Sequence, residues 1–369
     1  MYIKEIKLNS FRNYKEERVY FNENSNIIKG KNGQGKTNLL ESIYILSMGK
    51  SFRTLKDDEL IKFGEKGFSI KGLFIKDGEE LSIEIRQKGK EKKIIIDGVV
   101  KKKNADLLEN VYVVVFSPDD LKIVEESPEI RRKFMDRELF MIKPLYYIEL
   151  NKYLKALESK KKILKQEIIN EELLDIYDDF IAEHGAKVMK YRASFVETLD
   201  EVSRNIEETI TDGEEELKVF YDSNVKVKEK IDDQKEEILI SLKENRKREL
   251  INRKTYAGPH RDDLKITSNG VDLRKYGSRG QQRTAALSLK LAELEMIKKE
   301  TGEDAILLLD DVLSELDEER QRKIINSFEK NQLFISAADF NDDYLKKFSN
   351  GASFFVEEGN IKEEKILAV

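Results

Sequence analysis

Hydrophobic and polar residues alternate at the start of the chain, from Tyr2 to Leu8, which is typical of a half-buried strand. Further strands are predicted at Val19–Phe21 and at Ile27–Ile28. From Lys36 to Met48 the apolar residues recur mostly at helical spacing, so a strand, a Gly-rich loop and a helix follow one another. Between residues 68 and 100, short alternating runs are separated by Asp-Gly and Lys-Gly turn signals, which indicate an antiparallel β-layer.

The middle of the chain consists of long, highly charged segments with few turn residues, which indicate helices. They run from Arg131 to about Ala193 and from about Ile231 to Arg253. Apolar runs elsewhere predict the strands Val111–Phe116, Ala305–Leu309 and Leu333–Ser336, and the helices Gln281–Glu300 and Glu318–Phe328. We therefore predict an α/β fold in which residues 1–118 and 297–369 share one lobe, with a mainly helical lobe inserted at 119–296.

Composition excludes several kinds of chemistry. The 369 residues include no Cys and only two His, which leaves no disulfide, no thiolate catalyst and little for a transition-metal site. Lys and Arg number 67 against 72 Asp and Glu, so a nucleic-acid surface must be local. No run approaches the roughly 18 apolar residues of a membrane span, and the first residues lack the apolar core of a signal peptide. We expect a cytoplasmic protein with no membrane partner.

The loop between the predicted strand and helix, Gly30–Thr37, matches the phosphate-loop pattern G-x-x-x-x-G-K-[ST]. Glycines let backbone N–H groups converge on phosphate oxygens, and the following helix N-terminus adds partial positive charge. Lys36 is expected to reach the β- and γ-phosphates, and the Thr37 hydroxyl to ligate Mg²⁺. The predicted nucleotide-binding residues are Gly30, Lys31, Asn32, Gly33, Gln34, Gly35, Lys36, Thr37 and Asn38.

Two carboxylates, Asp310 and Asp311, follow the predicted buried strand Ala305–Leu309. The carboxyl ends of strands form the ligand-binding edge of an open α/β sheet. We assign Asp310 to the metal shell, together with Thr37, and Asp311 to orienting or deprotonating the attacking water. Lys36, Asp310 and Asp311 are therefore the predicted catalytic residues.

A third segment, Tyr276–Arg283, precedes a good helix, and Ser278 with Gln281 has the spacing of a capping box. Alone, this spacing predicts only the start of a helix. Its place before the carboxylate strand, which is followed by Ser314–Asp317, resembles the order of signature segment, Mg²⁺-binding strand and D-loop in ABC-type ATPases. The resemblance implies that Ser278, Gly280 and Gln281 contact nucleotide.

Six further stretches together resemble the bacterial RecF family of SMC-like ABC-type ATPases. They are Phe11–Tyr14, Lys50–Thr54, Phe116–Leu121, Arg131–Asp136, Gly258–Asp263 and Leu309–Asp317. The resemblance implies an ABC-type lobe that binds ATP and Mg²⁺, with Arg12, Asn13 and Arg53 also at the nucleotide. It implies an ATP-dependent homodimer in which each nucleotide lies between the phosphate loop of one subunit and the signature segment of the other.

The same resemblance implies a nucleoid-associated recombination mediator. Such a protein binds double-stranded, gapped or junction DNA, with single-stranded DNA as a possible further substrate. It acts with RecO and RecR to assist RecA loading. Hydrolysis would loosen the dimer and time its release. Asp311 stands where most ABC ATPases have Glu, so we predict slow, DNA-stimulated turnover. No Gln lies in 116–121 and no His in 336–339, which leaves the γ-phosphate sensor unassigned.

Two alternatives stay open: an SMC-type structural DNA-binding ATPase, and a largely non-hydrolysing nucleotide switch. A transporter subunit is disfavoured because Asp310 follows Lys36 by 310 minus 36, or 274, residues. This separation of the phosphate loop from the carboxylate strand far exceeds what a transporter core needs. A small GTPase is disfavoured because no N-K-x-D sequence is present.

Basic residues in the helical region are candidate DNA contacts, although a solvated helix face is the simpler interpretation. They are Lys152, Lys155, Lys160, Lys161, Lys162 and Lys165 in one cluster, and Arg246, Lys247, Arg248, Arg253 and Lys254 in the other. Arg131 and Arg132 are expected to serve the fold or to contact RecR. For His260 we expect a structural hydrogen bond.

Overall fold

The computed structural model describes residues 1–54, 56–102, 104–108, 110–312, 321, 323, 330–338 and 351–364. The predicted D-loop at Ser314–Asp317 lies outside the described residues, as does most of the predicted helix Glu318–Phe328. The chain divides into two compact units. The first unit comprises residues 1–120 and 293–369, and the second comprises residues 121–292.

The strands and helices have the following bounds. The strands are β1 (Tyr2–Phe11), β2 (Tyr14–Tyr20), β3 (Ser25–Lys29), β4 (Gly67–Lys76), β5 (Glu79–Lys88), β6 (Glu91–Ile96), β7 (Val99–Lys101), β8 (Val113–Phe116), β9 (Leu217–Asp222), β10 (Asp263–Ser268), β11 (Val271–Asp272), β12 (Ile306–Asp310), β13 (Leu333–Ala337), β14 (Ala352–Glu357) and β15 (Asn360–Glu364). The helices are α1 (Lys36–Met48), α2 (Lys122–Glu125), α3 (Pro128–Ile142), α4 (Pro144–Leu164), α5 (Glu171–Thr211), α6 (Ile231–Asn252), α7 (Leu273–Tyr276) and α8 (Arg279–Thr301).

An antiparallel sheet forms one layer of the first unit, with the strand order β2-β1-β4-β5-β6-β7. The predicted β-layer is therefore confirmed, and the first two strands extend it. Its hairpins turn tightly because Asp77 and Gly78, and likewise Asp97 and Gly98, all have positive φ. This backbone matches the twist of the flanking strands, and Asp and Gly adopt it at low cost.

A second sheet in the first unit has the strand order β15-β14-β3-β13-β12-β8. The five strands from β14 to β8 in this order are parallel, and β15 pairs antiparallel with β14. The strands β8, β12 and β13 are buried along their whole length, as expected for a parallel sheet covered on both faces. Both ends of the chain thus share this sheet, as predicted. It brings the carboxyl ends of β3, β12 and β13 to one edge.

The second unit is mainly helical but differs from the prediction in two respects. The helices predicted from Arg131 to about Ala193 are α3, α4 and α5, with α3 and α4 separated at Lys143–Pro144, but α5 continues beyond Ala193 to Thr211. Proline at the start of α4 cannot donate the hydrogen bond that would continue α3. The unit also holds a small antiparallel sheet, β11-β10-β9, which was not predicted. In the part of the chain that the structure describes, no helix is long and apolar enough to cross a membrane.

Candidate nucleotide site

The phosphate loop connects β3 to α1, and its glycines are required by the backbone. Gly30 and Gly35 have φ values of 143° and 123°, which side chains rarely adopt. A Cβ atom on Gly30 would lie 2.3 Å from the carbonyl oxygen of Val356, and one on Gly35 would lie 2.7 Å from Nδ2 of Asn13. The N-cap of α1 makes no side-chain hydrogen bond, so its first N–H groups face no capping side chain.

Lys36 is buried at the start of α1, and its ammonium is held by the loop itself. Nζ donates to the carbonyl oxygens of Gly30 at 2.7 Å and Lys31 at 3.2 Å, and lies 3.5 Å from Oδ1 of Asn32. Among the described residues no carboxylate lies within ion-pair distance of it. A buried cation without an anion is costly, and a triphosphate would supply the missing charge. The loop therefore fits ATP, with Lys31, Asn32 and Gly33 exposed around it.

Asp310 ends β12 beside the loop, as the predicted metal site requires. The Thr37 hydroxyl donates to Oδ1 of Asp310 at 2.9 Å, and the Ser336 hydroxyl donates to the same oxygen at 2.7 Å. Burial raises the pKa of Asp310, and these two hydrogen bonds act in the opposite direction. In the described part of the chain no group of three or more His, Asp or Glu could hold a metal. Mg²⁺ at Thr37 and Asp310 would thus rely on phosphate oxygens, as is usual for this ion.

Asn13 and Asn38 connect the loop to its surroundings. The Asn13 amide donates to the carbonyl oxygen of Gln34 at 2.6 Å, and Asn38 donates to Oδ1 of Asn13 at 2.9 Å. Gln34 also accepts hydrogen bonds from the turn between β14 and β15: Glu358 N–H donates to its side chain at 2.7 Å, and Gly359 N–H to its carbonyl at 3.2 Å. The turn between β14 and β15 therefore holds the phosphate loop in place through Gln34.

Two predicted arginines converge on one buried carboxylate, Glu41 of α1. Arg12 donates to it through two nitrogens at 2.8 and 2.7 Å, and Ser51 donates to it as well. Arg53 donates to Oδ1 of Asn38 at 2.8 Å and lies 3.6 Å from Glu41. The structure thus brings Arg12, Asn13, Asn38 and Arg53 together beside the phosphate loop.

Sequence analysis missed three residues of this site: Glu41, Ser51 and Ser336. Glu41 carried a usable signal, because it is a charged residue among the mostly apolar, buried residues of α1. Such a residue usually marks a buried ion pair. Ser336 carried no such signal, since a serine that ends a buried strand is unremarkable in sequence.

The signature segment lies in the second unit. Its predicted capping box is present: Ser278 N–H donates to Oε1 of Gln281 at 3.1 Å, and Gln281 N–H donates to Oγ of Ser278 at 3.2 Å. Ser278 and Gly280 are exposed at the start of α8. Their contact with nucleotide stays a prediction.

Several of the candidate DNA-binding residues are engaged within the second unit. The suggestion that Lys160 contacts DNA is wrong, because it is fully buried, 2.7 Å from Asp178 and 2.5 Å from Glu249. Arg246 pairs with Asp178 at 2.8 Å. Arg253 donates to backbone carbonyls, and Arg248 stacks on Tyr256. Of the other cluster residues, six are exposed and form no ion pair within the described part of the chain: Lys155, Lys161, Lys162, Lys165, Lys247 and Lys254.

The Gly258–Asp263 stretch is part of the fold of the second unit. Arg131 forms two hydrogen bonds with Asp263, at 2.6 and 2.8 Å, and Arg132 donates to the carbonyl oxygen of Asp262 at 2.6 Å. The expectation that these arginines serve the fold is met by this geometry.

His260 lies between two hydroxyls, as expected for a structural histidine. Its Nδ1 is 2.6 Å from the Tyr153 hydroxyl, and its Nε2 is 3.1 Å from Oγ1 of Thr255. Burial, with help from the nearby Arg261 charge, lowers the pKa of His260 to about 3.

The low pKa of His260 predicts acid sensitivity. Between its folded pKa of about 3 and the ordinary value of 6.5, the unfolded chain binds a proton that the folded chain does not. Stability is therefore lost as the pH falls below about 6.5, with a slope of at most about 1.4 kcal/mol per pH unit. Urea unfolding of wild type and His260→Gln from pH 7 to 4 should show a shallower decline in the variant. Parallel declines would contradict the assignment.

A family model and named relatives match this chain over nearly its whole length. The family model for the RecF/RecN/SMC N-terminal domain matches residues 2–361. A protein named DNA replication and repair protein RecF from Clostridioides difficile strain 630 is 42% identical over 364 residues, which cover 98% of each chain. The protein of the same name from Alkaliphilus oremlandii is 43% identical, over 98% of this chain and all of its own.

Solved structures agree in fold. One, described as the recombination mediator protein RecF with ATP in the RecFOR pathway, has a TM-score of 0.91 and 39% identity, and the match covers 99% of this chain and 98% of that one. An Smc head domain from Pyrococcus furiosus has a TM-score of 0.56 at 17% identity, over 98% and 96% of the two chains. That similarity concerns the fold alone.

Proposed function

The chain belongs to the RecF/RecN/SMC N-terminal-domain family, and within it to the RecF proteins. From this premise we propose that it is an ATP-dependent, DNA-binding recombination mediator that dimerises around ATP. The ATPase-type fold of the family supports ATPase activity. The observation that carries the proposal is the buried Lys36 ammonium, which no described carboxylate neutralises, beside the Thr37–Asp310 pair. A bound triphosphate with Mg²⁺ meets both requirements at once.

Each residue has a defined task in this proposal. Lys36 and the loop N–H groups bind and orient the phosphates, while Thr37 and Asp310 hold Mg²⁺. Bound Mg²⁺ would supply Lewis-acid stabilisation of charge on the phosphates. Asp311 orients the attacking water, and because its side chain is one methylene shorter than Glu, turnover is slow. Hydrolysis then serves as the timer of release.

The second half of each site is supplied by another copy of the chain. Ser278 directly precedes α8, a helix of 23 residues, and Gly280 lies in its first turn. Both are exposed, so the Ser278 hydroxyl and the Gly280 N–H are available to a partner's nucleotide. ATP therefore links two copies. Loss of the γ-phosphate contacts loosens them.

For DNA, we propose that the exposed lysines named above contact phosphates at a gap or a duplex junction, with RecR and RecO as protein partners. Single-stranded DNA is a further possible substrate. DNA stimulates the slow ATPase, the complex assists RecA loading, and the protein works in the cytoplasm at the nucleoid. DNA affinity should fall steeply with salt. The SMC-type structural protein and the non-hydrolysing switch remain the alternatives, and only the latter predicts no turnover with DNA present.

A subunit-mixing experiment tests the shared site. Lys36→Met and Ser278→Arg variants should each fail to hydrolyse ATP alone. In a mixed dimer, one composite site carries both changes and the other carries neither, so mixing should restore activity to at most half of the wild-type sites. Steady-state ATPase and light scattering with ATP or ADP measure the outcome.

Ser127→Arg is the matched control, because Ser127 is also an exposed serine at a helix N-cap of the second unit and makes no side-chain cap hydrogen bond. It should hydrolyse ATP and dimerise like wild type. The shared-site proposal is wrong if Ser278→Arg alone hydrolyses ATP normally, or if mixing restores nothing while each variant still binds the wild-type subunit.

A further inference from the structure

Ser336, the fourth residue of β13, contacts both carboxylate residues of the site. Its hydroxyl donates to Oδ1 of Asp310 at 2.7 Å and accepts from the N–H of Asp311 at 3.2 Å. The same N–H lies 3.1 Å from the Ser336 carbonyl oxygen. Ser336 is 1% exposed, so water does not compete for these hydrogen bonds. One buried hydroxyl of β13 therefore contacts both acidic residues at the end of the neighbouring parallel strand β12.

The backbone of Asp311 explains why such a tie is needed. Its φ is 54°, in the left-handed region that residues other than glycine seldom occupy. A residue stays there only where its surroundings determine it, and such residues cluster at functional sites. The hydrogen bonds from Asp311 N–H to Ser336 are the observed determinants.

We propose that Ser336 is a positioning residue for the proposed ATPase reaction: its hydroxyl sets the side-chain orientation of Asp310 toward Thr37 and holds the backbone that carries Asp311. The inference rests on the proposed function but adds a residue that the phosphate-loop and carboxylate motifs do not contain. Ser336 touches neither nucleotide nor metal in this role. It acts through the two aspartates, as a residue behind a metal ligand does.

A second buried serine in the same sheet serves as a comparison. Ser353 of β14 is 2% exposed, and its hydroxyl has no hydrogen-bond partner in the described part of the chain. Removing its oxygen removes a buried hydroxyl from the sheet without disturbing any acid. The pair Ser336→Ala and Ser353→Ala thus separates the positioning role from the effect of a lost hydroxyl on packing.

Three measurements on the full-length protein test the proposal. For Ser336→Ala we expect kcat to fall by about 10- to 100-fold, which is typical when the partner of a metal ligand is removed. The Mg²⁺ concentration that half-saturates ATP binding should rise by about tenfold. Binding of ATP in EDTA, where no metal bridges the phosphates to Asp310, should stay within about twofold of wild type. Ser336→Thr keeps the hydroxyl and should recover Mg²⁺ dependence and kcat, and Ser353→Ala should match wild type in all three.

The outcomes separate this inference from the proposed function. If Ser336→Ala keeps the wild-type Mg²⁺ dependence, or if it only matches Ser353→Ala, the positioning role is overturned while ATP binding stands. If wild type itself binds no ATP, the proposed function fails first. The binding measurements decide the matter even where turnover is too slow to compare. Should Ser336→Ala not fold, Ser336→Thr and Ser336→Cys carry the same comparison. The Mg²⁺ requirement of Ser336→Cys should then lie between that of Ser336→Thr and the roughly tenfold increase expected for Ser336→Ala.

Discussion

Replacing Lys36 with methionine is expected to weaken ATP binding by roughly 30-fold or more, because the substitution removes the charge that faces the phosphates and costs about 2–5 kcal/mol. The nucleotide-free fold should not suffer. Lys36 is buried and bonded to the carbonyl oxygens of Gly30 and Lys31, with no carboxylate partner among the described residues. Methionine has a similar length and no charge to desolvate, so the free energy of unfolding should stay the same or rise. Calorimetric titration with ATP and urea unfolding measure the two effects.

The control for Lys36→Met is Lys31→Met, which removes a charge from the same loop. Lys31 is exposed, and its contribution to the loop comes from the backbone, which the substitution keeps. Its effect on ATP affinity should stay below about threefold, as for an exposed charge in salt. Equal losses in both variants would mean that the loop attracts nucleotide by general charge. Unchanged binding in Lys36→Met would remove the phosphate-loop assignment.

Local signals explain why much of the first unit could be predicted. The Asp-Gly turns at 77–78 and 97–98 require positive φ, which few residues adopt, so they identify hairpins from sequence alone. The Asn269–Gly270 pair is a signal of the same kind, and it forms the turn between β10 and β11. The sequence analysis predicts no strand on either side of this pair, so the hairpin is a finding of the structure.

Side-chain partners are harder to predict than elements. The phosphate-loop pattern identifies Lys36 and Thr37, and strand order places Asp310 beside them. Nothing in the sequence shows that Arg12 and Arg53 share Glu41, because those contacts depend on how α1 packs beside the antiparallel sheet. The suggestion that Lys160 contacts DNA was wrong for the same reason. A lysine among lysines was interpreted as a surface residue, whereas two helices distant in sequence supply its carboxylates.

Replacing Arg192 with methionine is expected to lower the free energy of unfolding of the second unit by about 3–5 kcal/mol, since removing one member of a buried ionic network leaves the others uncompensated. Arg192 of α5 donates to the Tyr146 hydroxyl at 3.0 Å, to the Pro259 carbonyl at 2.6 Å and to Asp136 at 2.7 Å. It also lies 3.5 Å from Asp262, which is fully buried. Burial already raises the pKa of Asp262, and without the arginine this buried carboxyl group loses a compensating charge, so its pKa rises further. Urea unfolding followed by far-UV circular dichroism reports the loss, because the unit is mainly helical.

Arg204→Met, on the same helix, distinguishes a buried network from the loss of any arginine. The Arg204 side chain is 40% exposed, against 3% for Arg192, and it pairs with Asp200 one turn away. Such a pair contributes about 0.3–0.5 kcal/mol, and Asp200 keeps its hydrogen bond from Val219 N–H. If Arg192→Met costs no more than Arg204→Met, the Gly258–Asp263 stretch is not held by this network. This stretch would then need another role, such as contact with a partner protein.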